Sequence, residues 1–155
     1  MNKRNIILIG MPGAGKSSVG VILAKVLGYE FIDTDLVIQH REKRLLREII
    51  ADEGNEGFLA IENEVNATLE ANKSVIAPGG SAIYGKEAME HFKEIGTIVY
   101  LKLSYEDLAK RLGNLKGRGV VLKEGQTLKD LYDERSKLYE QYACLLYTSP
   151  SPRDR

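Results

Sequence analysis

The chain of 155 residues is long enough for one domain with its own core, and its 43% hydrophobic and 28% charged residues exclude a disordered protein. Its 22 basic and 22 acidic residues leave no net charge, so composition favours neither a nucleic-acid nor a membrane partner. The sequence shows no signal-peptide core or membrane-length apolar stretch, and one cysteine, Cys144, excludes an internal disulfide framework. We therefore expect a cytoplasmic monomer whose partner is a small molecule.

Strand-like apolar runs alternate with helix-length segments along the chain. These runs are 5–10, 29–32, 74–77 and 97–103. Their alternation with helical patterns is typical of βαβ units and predicts an α/β fold with a parallel sheet. Helices are predicted at 18–27 and 127–142, and two helical stretches with a break at 54–57 lie between the second and third strands. The glycine-rich, basic stretch 113–125 is aperiodic and predicts a mobile loop.

The segment between the first strand and the first helix carries the strongest motif of the chain. From Gly10 to Ser17 it reads GMPGAGKS, which fits the phosphate-loop pattern G-x-x-x-x-G-K-[ST]. The glycines let consecutive backbone N–H groups curl around a polyphosphate at a helix N-terminus. Lys16 then reaches the β- and γ-phosphates, and the Ser17 hydroxyl binds Mg²⁺. A simple glycine turn is the alternative, but the order strand, loop and helix favours nucleotide binding.

Polar and glycine residues follow the second and third strands. Asp33 and Asp35 come where the second strand ends, and Gly79 and Gly80 come where the third ends. Ligands of open parallel sheets bind outside the carboxyl ends of the strands, so these residues are expected to face the phosphate loop. We interpret Asp33 as a group that holds Mg²⁺ or polarises an attacking hydroxyl, and Asp35 as an acceptor for polyol hydroxyls. A helix cap remains the alternative for either aspartate, and a plain turn for the two glycines.

In their order and spacing, these features resemble the shikimate kinase family over residues 5–143. The set consists of the phosphate loop, the Asp-Thr-Asp run after strand two, Gly79-Gly80, the basic loop and Arg135. The resemblance implies a three-layer α/β/α P-loop kinase fold like that of nucleoside monophosphate kinases. It also implies ATP and Mg²⁺ as cofactors, and phosphorylation of the 3-hydroxyl of shikimate.

Site residues follow from the resemblance position by position. The residues that would bind the ATP phosphates are Gly13, Ala14, Gly15, Lys16, Ser17 and Ser18. Those that would hold Mg²⁺ are Ser17 and Asp33, and those that would bind the substrate are Asp35, Gly79, Gly80 and Arg135. The resemblance further implies that Arg111 stacks on adenine and that Arg118 of the loop closes on the phosphates. The catalytic set is then Lys16, Asp33 and Arg118, although each of the three arginines has an ordinary solvated side chain as its alternative.

Two positions depart from the family pattern. The family has a substrate-carboxylate arginine directly after the phenylalanine, in a Phe-Arg-x-x-Glu pattern, where this chain has Leu59 after Phe58. Loss of a bidentate arginine weakens carboxylate binding by about 2 kcal/mol or more, or indicates another acceptor. The third glycine after strand three is Ser81 here. Two alternatives therefore stay open: a kinase for a different polyol or sugar acid, and a nucleotide-binding module without transfer activity.

The composition changes abruptly after Ala143. Residues 144–155 read CLLYTSPSPRDR, and the Ser-Pro pairs block a helix. This segment resembles the translated reading frame of a sequencing-library adapter. We therefore predict a kinase domain over residues 1–143 and a non-native tail over 144–155, with the last strand and helix of the fold missing or replaced. Within this tail, 145–148 is the stretch able to form a short strand.

Overall fold

A computed structural model describes residues 4–113 and 125–148 of the chain. Its strands are β1 (Asn5–Ile9), β2 (Glu30–Asp33), β3 (Ser74–Ala77), β4 (Gly96–Lys102) and β5 (Leu145–Thr148). Its helices are α1 (Lys16–Leu27), α2 (Thr34–Glu42), α3 (Leu46–Ala67), α4 (Lys86–Ile95), α5 (Tyr105–Gly113) and α6 (Leu128–Tyr142), with a 3₁₀ turn at Gly80–Tyr84. Among these helices, none is both long and apolar enough to cross a bilayer.

The five strands form one parallel sheet in the order β2-β3-β1-β4-β5. The central strand β1 pairs with β3 on one side and β4 on the other, so Ile7 lies between Ile76 and Ile98. Because all strands point the same way, the loops after β1, β2 and β3 meet at one edge of the sheet. The predicted α/β fold with a parallel sheet is confirmed, and this edge holds the predicted site.

Each face of the sheet is covered by helices. One face contributes Ile7, Ile9 and Ile98 to a core with side chains of α4, α5 and α6. The alternate residues Leu8 and Leu101 point to the other face, which α1 covers. A third, smaller cluster joins α2 to α3 through Ile38, Ile49 and Val65. The helices of the three-layer prediction thus lie on both sides of the sheet.

The side chain of Asn5 links the start of β1 to the beginning of β3 and to the residue before β4. Its side chain is 2% exposed, and Nδ2 donates to the carbonyls of Ala71 and Ile95, each at 2.9 Å. Its Oδ1 accepts from the N–H of Ser74 at 3.0 Å. Asn5→Ala leaves three backbone groups without this partner, so we expect the free energy of unfolding to fall by about 3 kcal/mol. Urea unfolding measures this change, and a loss below about 1 kcal/mol would contradict the structural role.

Helix α3 spans the predicted break at 54–57. The interruption is confined to Gly54, whose φ of 75° and ψ of 175° are non-helical. The helix therefore has two segments, one before and one after Gly54. Both segments line the site described below.

Strand β5 is built from the segment that we interpret as non-native. It pairs in parallel with β4, with Leu145 beside Val99 and Tyr147 beside Leu101. A strand thus occupies the predicted last-strand position, and its Leu145 and Tyr147 side chains are 59% and 50% exposed. Residues 149–155 lie outside the described residues, and the foreign origin of the segment stays a prediction.

Candidate active site

The phosphate loop joins β1 to α1, as the motif predicts. Gly13 (φ 87°) and Gly15 (φ 91°) adopt the left-handed conformation that favours glycine, and Gly15 is the N-cap residue of α1. The ammonium group of Lys16 lies back against the loop, where Nζ donates to the carbonyls of Gly10 at 2.7 Å and Met11 at 3.1 Å. A helix N-terminus, glycine backbone and a lysine are thus brought together, which is an arrangement that binds phosphate groups.

Burial and neighbouring charges shift the pKa of Lys16. Burial of the ammonium group lowers the pKa of Lys16 to about 8, and the nearby Asp35 carboxylate partly offsets this shift. Arg135 lowers the pKa further by charge repulsion. An anionic ligand beside Lys16 would raise the pKa again and so favour the protonated form.

A first cavity of about 420 Å³ opens at the carboxyl ends of β1, β2 and β3. It brings together most of the predicted donor-side and metal residues, and its lining includes Gly13, Gly15, Lys16, Ser17, Ser18, Asp33, Asp35, Gly79 and Gly80. Ala14 is a buried residue of the loop, and its N–H donates to the carbonyl of Met11 at 3.1 Å. The Arg111 guanidinium reaches the same loop from α5, where Nη1 donates to the Gly13 carbonyl at 3.0 Å. Arg118 lies outside the described residues.

Asp33 caps a helix and also lies on the wall of the first cavity. It is the N-cap residue of α2, and its Oδ1 accepts from the N–H of Asp35 at 2.9 Å. It also lines the first cavity together with Ser17. A carboxylate and a hydroxyl are hard oxygen donors that suit Mg²⁺, which commonly takes one or two carboxylates plus phosphate oxygens. Among the residues that the structure describes, no group of three or more acidic, histidine or cysteine side chains forms a metal site without phosphate.

A second cavity of about 550 Å³ lies between α3, α6 and the 3₁₀ turn. Asp35, Gly79 and Gly80 line both cavities, so the two cavities meet at these residues. Arg135 lines the second cavity with only 5% of its surface exposed, and its Nε and Nη1 have no hydrogen-bond partner among the described residues. A buried guanidinium with unused donors favours an anionic ligand. Leu59 lines the same cavity and offers no such donor.

Glu62 is a site residue that the sequence prediction did not include. Its side chain is 2% exposed, its Oε1 accepts from the Ser81 hydroxyl at 2.7 Å, and its Oε2 has no partner within the described chain. A Cβ placed on Gly79 would lie 3.2 Å from that Oε2 and 3.0 Å from Asp35 Oδ1, so both acids face Gly79. Burial raises the pKa of Glu62 to about 7. A charged residue on the apolar stripe of α3 was the signal that could have identified it.

Replacing Glu62 with glutamine is expected to change how stability depends on pH. Burial raises the pKa of Glu62 from 4.5 to about 7, so the folded state binds an extra proton between these values. The stability that this proton supplies is fully present below pH 4.5 and is lost as pH rises to 7, by about 2 to 3 kcal/mol. Urea unfolding of wild type and Glu62→Gln across this range measures the difference. Parallel stability curves would contradict the burial effect.

Two tyrosines arrange the residues around Arg135. The Tyr139 hydroxyl donates to the Gly80 carbonyl at 2.9 Å, and this bond holds the start of the 3₁₀ turn against α6. The Arg135 guanidinium lies 5.6 Å from the centre of the Tyr84 ring, and the Tyr84 hydroxyl donates to Glu134. Sequence reasoning missed both tyrosines, since their contacts span 59 and 50 residues.

Comparisons with known proteins agree with this geometry. The sequence model of the family described as shikimate kinase matches residues 12–153. The chain is 36% identical over 154 residues to a shikimate kinase of Chlorobium phaeovibrioides, covering 92% of this chain and 78% of that protein. It is 34% identical over 158 residues to shikimate kinase 2 of Yersinia enterocolitica, covering 96% and 88% of the two chains.

A solved structure of shikimate kinase from Acinetobacter baumannii in complex with shikimate matches with a TM-score of 0.83 at 34% identity. This match covers 95% of the present chain and 84% of that one. The shikimate kinase structure from Aquifex aeolicus matches with a TM-score of 0.77 at 30% identity, covering 97% and 89%. The chain therefore belongs to the shikimate kinase family and is an ATP-dependent small-molecule kinase.

Proposed function

We propose that this protein transfers the γ-phosphoryl group of ATP to the 3-hydroxyl of shikimate. The observation that carries the proposal is that two cavities meet at Asp35, Gly79 and Gly80. The first contains the phosphate loop and suits the donor, and the second contains Arg135 and suits an anionic acceptor. Phosphoryl transfer depends chiefly on positioning the reacting groups and on electrostatic stabilisation, and a shared wall supplies the positioning.

On the acceptor side, we assign the carboxylate of shikimate to Arg135. The nitrogens Nε and Nη1 of this buried arginine have no partner among the described residues, so both keep a donor for an anionic group. We assign the hydroxyls to Asp35, at the wall between the cavities. Burial and the neighbouring Asp33 both raise the pKa of Asp35, which suits an acceptor for the proton of a reacting hydroxyl. The relative from A. baumannii was solved in complex with shikimate.

On the donor side, residues 13–18 would bind the phosphates of ATP. Ser17 and Asp33 would hold Mg²⁺, which when bound neutralises phosphate charge. Lys16 would exchange its bonds to loop carbonyls for bonds to the phosphates and so stabilise the charge that develops during transfer. Arg111 already contacts the loop and would lie on the adenine side. We retain Arg118 as a further phosphate ligand from the sequence alone.

A coupled assay of ADP release tests the proposal. Purified protein with ATP, Mg²⁺ and shikimate is expected to release ADP only when all three are present. Product analysis should find phosphate on the 3-hydroxyl. ATP turnover that requires another hydroxylated acid, with none on shikimate, would overturn the acceptor assignment.

The presence of Leu59 in the second cavity favours one alternative acceptor class. Without an arginine at this position, the cavity presents an apolar surface where the family pattern places a cation. A different polyol or a sugar acid is therefore the second candidate. Turnover measured across a panel of hydroxylated acids, with shikimate included, distinguishes the two candidates.

A further inference from the structure

This inference rests on the proposed function, in which the acceptor carries a carboxylate. Such a group offers about four lone-pair sites, and one guanidinium satisfies only part of them. In the second cavity, Arg135 is buried with two unused donor atoms, whereas Leu59 has no donor at all. The cavity thus has one evident cation where the family pattern has two.

Arg47 lies on the wall of the same cavity. It belongs to the first segment of α3, and Leu59 belongs to the second. Its side chain is exposed, and within 4–113 and 125–148 no hydrogen bond or ion pair engages it. By contrast, Arg41 bonds Glu64 at 2.8 Å and Arg44 bonds Glu42 at 3.0 Å.

The position of Arg47 gives it no evident role in stabilising the helix. It is the second residue of α3, and the positive end of a helix dipole disfavours a cation there. An uncommitted arginine at an unfavourable helix position, beside a ligand cavity, is explained better by the ligand than by the fold.

The charges that line the second cavity also favour a ligand-binding role for Arg47. Its carboxylates belong to Asp35, Glu62 and Glu134, and burial raises the pKa of Glu62 to about 7. Even with Glu62 uncharged, two carboxylates outweigh Arg135, and an incoming carboxylate would meet a negative wall. Arg47 brings these charges into balance.

We propose that Arg47 is a specificity-determining residue that binds the carboxylate of the acceptor together with Arg135, in place of the arginine absent at position 59. This assignment explains how a chain with Leu59 can use an acidic acceptor. It also predicts that the contribution of Arg47 disappears when the acceptor has no negative charge.

Steady-state kinetics of Arg47→Ala test the proposal. We expect the KM for shikimate to rise about tenfold, as for loss of one partly exposed charge-assisted contact. The kcat and the KM for ATP should stay within about twofold, because Arg47 lies away from the phosphate loop. Arg41→Ala, which removes an exposed arginine outside both cavities, is the matched control and should leave the KM for shikimate unchanged. The unfolding midpoint of Arg47→Ala should equal or slightly exceed that of wild type, because a cation is unfavourable at the start of a helix. The midpoint of Arg41→Ala should fall only slightly, because its ion pair with Glu64 is exposed.

Two further arms separate a ligand contact from a structural effect. The methyl ester of shikimate lacks the charge, so wild type and Arg47→Ala should have the same KM for it. Adding Leu59→Arg to Arg47→Ala should recover most of the lost affinity for shikimate. If wild type phosphorylates shikimate and Arg47→Ala keeps its KM, the role of Arg47 is overturned and the proposed function stands. No turnover of shikimate by wild type would overturn both.

Discussion

Lys16→Ala is expected to reduce phosphoryl transfer by about 10²- to 10³-fold while leaving the fold intact. The ammonium group sits at the loop where the phosphates would bind, with Nζ 2.7 Å from the Gly10 carbonyl. Its removal takes away a positive charge that would stabilise the transferring group. Because the pKa of Lys16 is already lowered to about 8 by burial, the folded state gains little stability from this charge. We expect the free energy of unfolding to rise or to fall by no more than about 1 kcal/mol, because burying this charge costs the folded state stability at neutral pH.

The matched control is Lys25→Ala, an exposed lysine in the last turn of the same helix. It should keep wild-type kcat and KM for both substrates. Coupled ADP release and urea unfolding, measured on all three proteins, separate lost catalysis from lost folding. Wild-type turnover by Lys16→Ala would show that the lysine has no part in transfer.

Arg135→Met is expected to weaken the binding of shikimate without lowering the stability of the folded protein. Arg135 is 5% exposed, and its Nε and Nη1 lack partners within the described chain, so the folded protein carries a buried charge that is incompletely satisfied. Methionine fills similar space without this cost, and we expect the free energy of unfolding to stay equal or to rise. The KM for shikimate should increase about 30-fold or more, which corresponds to about 2 kcal/mol.

Lys137→Ala provides the comparison, since Lys137 is exposed on the same helix and lies outside both cavities. Lys137→Ala should change neither the KM for shikimate nor the free energy of unfolding. Kinetics with shikimate and urea unfolding report the two effects separately. An unchanged KM for Arg135→Met would remove Arg135 from the acceptor site, and a large fall in stability would show that the residue is primarily structural.

The parts of the fold and site that the sequence predicted depend on local patterns. The phosphate loop is a contiguous motif, and the runs at β1 and β3 are apolar enough to mark strands without further information. The sequence also indicated that Asp33 could cap a helix, and the structure confirms this cap and places Asp33 on the wall of the first cavity.

The parts that the sequence left out depend on contacts between distant segments. Strand order is set by pairing across the chain, and the bond from Arg111 to Gly13 joins residues 98 positions apart. The Ser81 contact with Glu62 became visible only when the 3₁₀ turn and α3 were placed side by side. The sequence did not identify Arg47 as a candidate, because a helical pattern alone does not give the direction of the first segment of α3. Only that direction shows that Arg47 lines the second cavity.

The interruption of α3 at Gly54 gives the second cavity a wall made of two helical segments. The segment before Gly54 carries Leu46, Arg47 and Ile50 to the second cavity, and the segment after it carries Phe58, Leu59 and Glu62. None of these six residues belongs to the phosphate loop or lines the first cavity. New acceptors could therefore be accommodated by changing residues of α3 on either side of Gly54, while the residues that line only the first cavity stay the same.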